Sequence, residues 1–174
     1  NIIIQDITPP TGTAPTNVTV ECIGDVPAAD PLLITDEADN CGTPTVAFVG
    51  DVSDGNTCPE TITRTYSITD DCGNSINVTQ TITVNDITNP TASNPADINV
   101  ACPSDVPAPD PAAVTDEADN CSVPIVVFVS DVSDGNVCNG ETITRTYSVT
   151  DACGNSINVT QLIIIGAQTP TVDA

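Results

Sequence analysis

The chain repeats its own sequence after about 80 residues. TDEADNC stands at 35–41 and again at 115–121, and GNSINVTQ stands at 73–80 and again at 154–161. A period of this length is longer than the usual solenoid unit and matches a small β-sandwich domain. The sequence therefore predicts a tandem array of whole domains.

Domain boundaries follow from aligning the two copies. Residues 1–5 align with the end of the first copy, so we expect them to be the last strand of a preceding repeat. The first repeat is then 6–85 and the second 86–166, with 167–174 as a linker or the start of a further segment. The chain is interpreted as a slice of a longer array.

The charge balance is strongly acidic. The 174 residues include 24 Asp and Glu, two Arg and no Lys or His, which gives a formal net charge of −22. Nucleic acids and anionic membranes are not expected partners, because phosphate binding depends on Lys and Arg. No apolar run reaches the roughly 18 residues that a membrane-spanning helix needs.

The local pattern is that of strands and turns. Helical periodicity is absent, and Thr, Val, Ile, Pro, Asp and Gly dominate. In the first repeat we expect strands at 17–22, 32–35, 45–52, 61–69 and 75–84. The predicted fold is all-β, with tandem immunoglobulin-like β-sandwich repeats in a linear rod.

The two arginines occupy one equivalent position in the last hairpin of each repeat. Pairing the strands across the turn places Arg64 opposite Gln80 and Arg145 opposite Gln161, on the side that faces the core. One interpretation is that each arginine grips a ligand. We favour a structural arginine, with its stem on the core and its guanidinium paired to a carboxylate.

Eight cysteines are divided equally between the two repeats. Two Tyr, two Phe and no Trp leave little aromatic core, so the even cysteine count favours disulfides and an oxidising compartment. Zinc is not expected, because no C-x-x-C pair occurs. Alternating strand directions in a linear array predict the bonds Cys22–Cys58, Cys41–Cys72, Cys102–Cys138 and Cys121–Cys153.

The same topology gathers carboxylates at one end of each repeat. Oxygen ligands of this kind suit Ca²⁺, whose binding is expected to stiffen the joint between repeats. The alternative is that Asp and Asn only make turns and keep the surface soluble. The expected calcium ligands are Asp6, Asp36, Glu37, Asp39 and Asp70 in the first repeat and Asp86, Asp116, Glu117, Asp119 and Asp151 in the second.

The remaining polar residues predict no catalytic site, and we expect the chain not to be an enzyme. His and Lys are missing, every Cys is assigned to a disulfide, and Ser and Thr lack a base. Asp51 and Asp131 are interpreted as plain turn residues. Triplets beginning at Asn17, Asn77 and Asn158 match the N-glycosylation pattern, which Thr-rich strands produce easily.

The last strand of the second repeat departs from the first. Leu162 and Ile164 stand where Thr81 and Thr83 stand in the first repeat, so an outward strand face becomes apolar. Such a face predicts cover by a neighbouring domain or subunit.

The blocks TDEADNC, TYSITDDCGNSINVTQTITV and TYSVTDACGNSINVTQ resemble the hyalin-repeat (HYR and HYR-like) family. The resemblance covers both repeats and implies an immunoglobulin-like sandwich module. The near-identical repeats also resemble giant surface adhesins of gliding Bacteroidetes. That implies an extracellular, cell-surface filament with a role in adhesion or gliding.

We therefore expect a structural and adhesive segment of a secreted bacterial surface filament. Its partners would be neighbouring repeats or subunits of the same filament, with a surface or glycan ligand as a further candidate. The alternative is a module that binds a carbohydrate or protein ligand directly through its acidic strand-end loops.

Overall fold

The computed structural model describes residues 5–136 and 140–167. The chain divides into two compact units, the first ending at Asp86 and the second beginning at Ile87. The segment 1–4, expected to continue a preceding strand, lies outside the described residues.

Within these described residues each unit contains one four-stranded sheet, which confirms the predicted all-β tandem repeats. The sheet orders are β1-β4-β3-β2 and β5-β8-β7-β6. The strands of the first repeat are β1 Val18–Val20, β2 Thr45–Ser53, β3 Glu60–Thr69 and β4 Ser75–Val84. Those of the second are β5 Ile98–Val100, β6 Ile125–Ser133, β7 Thr142–Thr150 and β8 Ser156–Ile165.

The helical segments are single 3₁₀ turns at Ile23–Asp25, Pro31–Leu33, Pro103–Asp105 and Pro111–Ala113. The helices among the described residues are too short and too polar to cross a membrane. The strand expected at 32–35 is therefore wrong. Pro31 sets the first turn, and the Asp30 carboxylate accepts a hydrogen bond from the Leu32 N–H at 2.9 Å, which favours the turn over extended chain.

The central hairpin has the predicted register. Arg64 lies opposite Gln80 in the antiparallel pair β3–β4, and Arg145 lies opposite Gln161 in β7–β8. The short strand β1 runs parallel to β4, as β5 does to β8. The period of two along each strand then sends alternate side chains to a core face and to an outer face.

The core face of the first sheet packs against irregular chain. Tyr66 and Ile68 are fully buried and contact Ile34, while Thr11 and Ala38 form an isolated bridge in the covering segments. Burying such side chains contributes about 1.5–3 kcal/mol each. Within the described residues, the second layer of each repeat is thus built from extended segments and 3₁₀ turns rather than from a second regular sheet.

The outer face of each sheet carries no charged side chain on its three long strands. The outward positions are filled by Thr, Ser, Asn, Ala, Gly and aliphatic residues. In the first repeat they are Thr45, Ala47, Gly50, Val52, Thr61, Thr63, Thr65, Ser67, Thr69, Ser75, Asn77, Thr79, Thr81 and Thr83, and in the second Ile125, Val127, Ser130, Val132, Thr142, Thr144, Thr146, Ser148, Thr150, Ser156, Asn158, Thr160, Leu162 and Ile164.

The two cores differ at one pair of contacting positions. A Cβ added at Gly12 would overlap Cδ1 of the buried Ile68. In the second repeat Ala92 stands at the position of Gly12, and the smaller Val149 at that of Ile68. Ala92 packs against the cluster that contains Val149. The second repeat thus gains a methyl group at Ala92 and loses one at Val149, so the total volume of the pair is kept.

We expect Gly12→Ala to destabilise the first repeat by roughly 1–3 kcal/mol, because overpacking a filled core forces side chains away from their rotamers. Urea unfolding followed by circular dichroism measures the loss. The control combines Gly12→Ala with Ile68→Val, which reproduces the pair found in the second repeat, and should recover part of the stability. Equal stability of wild type and Gly12→Ala would contradict the close contact.

Candidate metal centre

A single carboxylate closes the hairpin between β3 and β4. Oδ1 of Asp70 accepts hydrogen bonds from the backbone N–H groups of Cys72 (2.9 Å) and Asn74 (2.8 Å), and Oδ2 accepts one from the Asn74 side chain at 2.8 Å. Asp151 makes the same three bonds with Cys153 and Asn155. Both carboxylates are buried. Their positions are therefore fixed by the turn itself.

Asp70 lies beside two further carboxylates of the first repeat. One oxygen each from Asp6, Asp39 and Asp70 lies within 4.8 Å of the other two. The segment that enters the repeat supplies Asp6, whose Oδ1 accepts from the Thr8 N–H at 3.0 Å. Asp39 is held by the Cys41 N–H, which donates to its Oδ2 at 2.8 Å. Three parts of the chain thus meet at these carboxylates.

Several side-chain oxygens at this end of the repeat are buried and lack a hydrogen-bond donor. Asp6 Oδ2, Glu37 Oε2 and Asp39 Oδ1 have no hydrogen-bond partner among the described residues. Leaving a buried acceptor unpaired costs about 1–3 kcal/mol, and more when it is charged. The pKa of Asp6 is lowered, chiefly by the Thr8 N–H, so this carboxyl is ionised at neutral pH. The cluster therefore combines unpaired acceptors with repelling charges.

The second unit carries two of the same unpaired oxygens. Glu117 Oε2 and Asp119 Oδ1 are buried and lack a hydrogen-bond partner in the described part of the chain. Oδ2 of Asp119 accepts from the N–H groups of Cys121 (2.9 Å) and Ser122 (3.1 Å). Asp86, the last residue of the first unit, is buried and stands at the sequence position of Asp6.

Two of the expected calcium ligands accept hydrogen bonds from a neighbouring segment. The Asp36 carboxylate accepts hydrogen bonds from the N–H (2.9 Å) and hydroxyl (2.5 Å) of Thr13, which lower its pKa. The Ser93 N–H donates to Asp116 at 2.9 Å, and Ser93 likewise lowers the pKa of Asp116. These acids tie a neighbouring segment to the loop and are not in the cluster of Asp6, Asp39 and Asp70.

Each arginine forms a bidentate pair on the core face. Nε and Nη2 of Arg64 donate to the two Asp51 oxygens at 2.9 and 2.8 Å, and Nη1 donates to the Pro27 carbonyl at 2.8 Å. Arg145 repeats the arrangement with Asp131. The hydrogen bonding of its guanidinium to Asp51 is the chief cause of the raised pKa of Arg64. The contacts of each arginine therefore lie within its own repeat.

The interpretation of Asp51 and Asp131 as plain turn residues is wrong. Both lie on edge strands, in register with Arg64 and Arg145. The pairing shifts by one residue between Phe48 and Gly50, so that a side chain expected on the outer face reaches the core face. Simple alternation along the sequence conceals a bulge of this kind.

Comparison with known families identifies the repeats. Residues 10–84 and 90–165 each match the HYR-like domain with 4 cysteines. The chain belongs to this family. Both HYR-like repeats have four cysteines, and family members of this type are adhesion-type repeat domains rather than known enzymes. The resemblance drawn from the acidic Asn-Cys loop and the last hairpin is confirmed.

Other comparisons add little to the HYR-like assignment. No curated protein matches the chain. Among solved structures, the crystal structure of human mucin-like protocadherin EC1-2 matches with 9% sequence identity and a TM-score of 0.37, covering 91% of this chain and 98% of that one. A similarity at this level carries no argument about ligands.

The cysteines of the two HYR-like repeats are in different states. Cys22 and Cys58 are disulfide-bonded in the first repeat, as are Cys121 and Cys153 in the second. Among the described residues, Cys41, Cys72 and Cys102 are free thiols, so the predicted bond Cys41–Cys72 is not formed. The partner predicted for Cys102, Cys138, lies outside the described residues.

The pKa of the exposed Cys41 thiol is raised, first by desolvation and then by the charge of Asp6. Cys121 has the same position in the second repeat and is disulfide-bonded, although Asp119 lies within 4.8 Å of it. The neighbouring acids therefore do not by themselves decide whether this cysteine is bonded.

We expect Arg64→Met to destabilise the first repeat by roughly 1–3 kcal/mol, because it leaves the Asp51 carboxylate beside a core face without its partner. Thermal unfolding measures the loss. Adding Asp51→Leu removes the stranded charge and should restore part of the stability. A melting temperature unchanged by Arg64→Met would contradict a structural arginine.

Non-reducing peptide mapping is expected to recover Cys22 joined to Cys58 and Cys121 joined to Cys153. Alkylation before reduction should label Cys41 and Cys72, both of which are exposed. Protection of both thiols would show that the first repeat closes the bond that its second copy contains. Recovery of Cys22 joined to Cys41 would contradict the strand topology.

Proposed function

We propose that this chain is a structural and adhesive segment of a secreted bacterial surface filament or stalk. The tandem match to HYR-like domains with 4 cysteines carries the proposal. One disulfide in each repeat supports an extracellular location, because such bonds persist in oxidising compartments. The resemblance to gliding adhesins extends the role to attachment during gliding.

Antibodies raised against the folded chain test this location. They should label intact cells that produce the protein, with the label extending outward from the envelope. Pre-absorption with the purified chain provides the control and should abolish the signal. Labelling that requires permeabilised cells would contradict a surface filament.

Calcium is proposed to bind the carboxylate cluster of the first repeat and the equivalent acids of the second. Asp6, Asp39 and Asp70 present ionisable oxygens within 4.8 Å of one another, and two of these residues carry a buried oxygen without a hydrogen bond among the described residues. Unit charges at this separation repel by about 1 kcal/mol per pair in water and by more where solvent is excluded. A bound divalent ion would neutralise this repulsion and would also coordinate the oxygens that lack a hydrogen bond.

The ligand type favours Ca²⁺ over other metals. Ca²⁺ accepts six to eight oxygens in a flexible geometry, whereas the smaller Mg²⁺ demands near-ideal octahedral geometry and usually keeps several of its waters. The chain has no His for a zinc site. Water and backbone carbonyls would complete the six to eight ligands that Ca²⁺ takes.

The proposed ion would stiffen the chain through the entering segment. Asp6 lies on that segment, whereas Asp39 and Asp70 lie on loops of the folded repeat, so one ion ties the segment to the repeat. In sequence, Asp86 precedes the second repeat as Asp6 precedes the first. Glu117, Asp119 and Asp151 supply that repeat with the residues equivalent to Glu37, Asp39 and Asp70.

Calorimetric titration should detect one Ca²⁺ for each repeat, and Asp39→Asn should remove the ion of the first. The amide oxygen can keep the Cys41 N–H bond, while the amide nitrogen can donate to a neighbouring carboxylate. We therefore expect this variant to be at least as stable as the wild type without Ca²⁺ and to lose the Ca²⁺-dependent gain.

Asp71→Asn is the matched control for that titration. It removes the same charge from an exposed residue in the same turn as Asp70, outside the cluster. It should retain both ions.

Small-angle scattering with Ca²⁺ and with EDTA tests the stiffening, since release of the ions should broaden the distribution of maximum dimensions. Absence of binding heat together with identical scattering curves would leave these acids as turn residues.

A further inference from the structure

The outer face of the second sheet is much more apolar than that of the first. Five large aliphatic side chains on this face are between 37% and 68% exposed: Ile125, Val127, Val132, Leu162 and Ile164. Val132 and Leu162 lie on either side of Thr144 in the strand register, and Ile164 lies beside Thr142. The aliphatic groups therefore extend across the sheet instead of standing singly.

The first repeat shows that the fold itself does not require this surface. At the same five positions it has Thr45, Ala47, Val52, Thr81 and Thr83, so that four of the five residues are smaller or polar. Both sheets nevertheless have the same strand order and the same hairpin register. Exposing aliphatic groups to water is unfavourable, so their presence in one repeat indicates a partner there.

Charge indicates which partner fits. The chain has a net charge of −22, yet the described outward positions of the three long strands contain no Asp, Glu or Arg. A basic partner would gain no ion pair on this face. A second copy of the chain, in contrast, can approach here without placing carboxylate against carboxylate. The face therefore lacks the carboxylates that would repel a second acidic copy.

The size of the face sets the strength of the contact. Three long strands about 4.8 Å apart, with nine or ten residues at about 3.3 Å each, cover on the order of 500 Å² per copy. Two such faces would bury about 1,000 Å², near the lower limit of specific interfaces. A single pair is therefore weak, and an array of repeats would strengthen it through multivalency.

We propose that the outer face of the second repeat packs against the same face of a second copy, as two sheets stack in a β-sandwich. Sheets packed in this way lie about 10 Å apart with interdigitating side chains. An isologous pair of this kind has twofold symmetry. This deepens the proposed function by naming the partner as another copy of the chain. It does not depend on the carboxylate cluster, which is formed by residues of the entering segment and of two loops.

Sedimentation equilibrium over about 10 µM to 1 mM chain tests the proposal, because an interface of this size binds weakly. The wild type should show reversible dimerisation that strengthens as NaCl screens the acidic surfaces. The variant Leu162→Thr/Ile164→Thr carries the residues of the first repeat and should weaken association about tenfold or more. Circular dichroism checks that it remains folded.

The control variant is Ile87→Thr/Val123→Thr, which removes two exposed aliphatic side chains outside the long strands. It should dimerise like the wild type. A wild type that stays monomeric throughout, or a dimer that survives Leu162→Thr/Ile164→Thr, would overturn the proposal. So would association that occurs with Ca²⁺ but not with EDTA. Dimerisation in EDTA without any Ca²⁺ binding would support this face while contradicting the calcium proposal.

Discussion

The hairpin closed by one aspartate organises each repeat. Because the Asp70 carboxylate binds the backbone on the far side of the turn, strands β3 and β4 pair without a slip along their length. A shift of one residue would exchange the core and outer faces of these strands. The same carboxylate supplies one oxygen to the cluster with Asp6 and Asp39. Register, core and candidate metal centre therefore depend on one side chain.

A polar core face replaces the aromatic bulk that the repeats lack. Arg64 is only 4% exposed, and its guanidinium carbon lies 5.9 Å from the centre of the Phe48 ring. Gln80 is also buried and donates to the Thr16 carbonyl at 2.6 Å. Each group fixes a covering segment to the sheet through a specific hydrogen bond. These hydrogen bonds give the small core directional contacts in addition to its apolar packing.

Sequence periodicity predicted the elements that are set by neighbouring residues. The long strands and their register follow from alternation on both sides of a short turn, and the placement of Arg64 opposite Gln80 is confirmed. The expected strand at 32–35 failed because capping by Asp30 outweighs the local strand propensity. The partner of Arg64 was missed because a bulge changes the face of Asp51. Such a bulge leaves no signal in the alternation.

The candidate site was predictable as a region but not as a set of atoms. Repeated acids near the hairpin turns indicated where carboxylates would gather. Which of them remain unpaired depends on hydrogen bonds from distant segments. Thr13 donates to both oxygens of Asp36, whereas one oxygen of Asp39 accepts no hydrogen bond among the described residues. Contacts of this kind arise only once the chain is folded.

The matched core contacts have a consequence for inheritance. Tandem copies this similar are substrates for unequal crossing-over between their coding sequences. An exchange between the codons of the Gly12 and Ile68 positions would join the alanine of one copy to the isoleucine of the other, whose atoms would then overlap. The reciprocal product would join glycine to valine and leave the core underfilled. Recombination that exchanges both positions together keeps the matched pair, whereas exchange of one position alone would cost the repeat part of its stability.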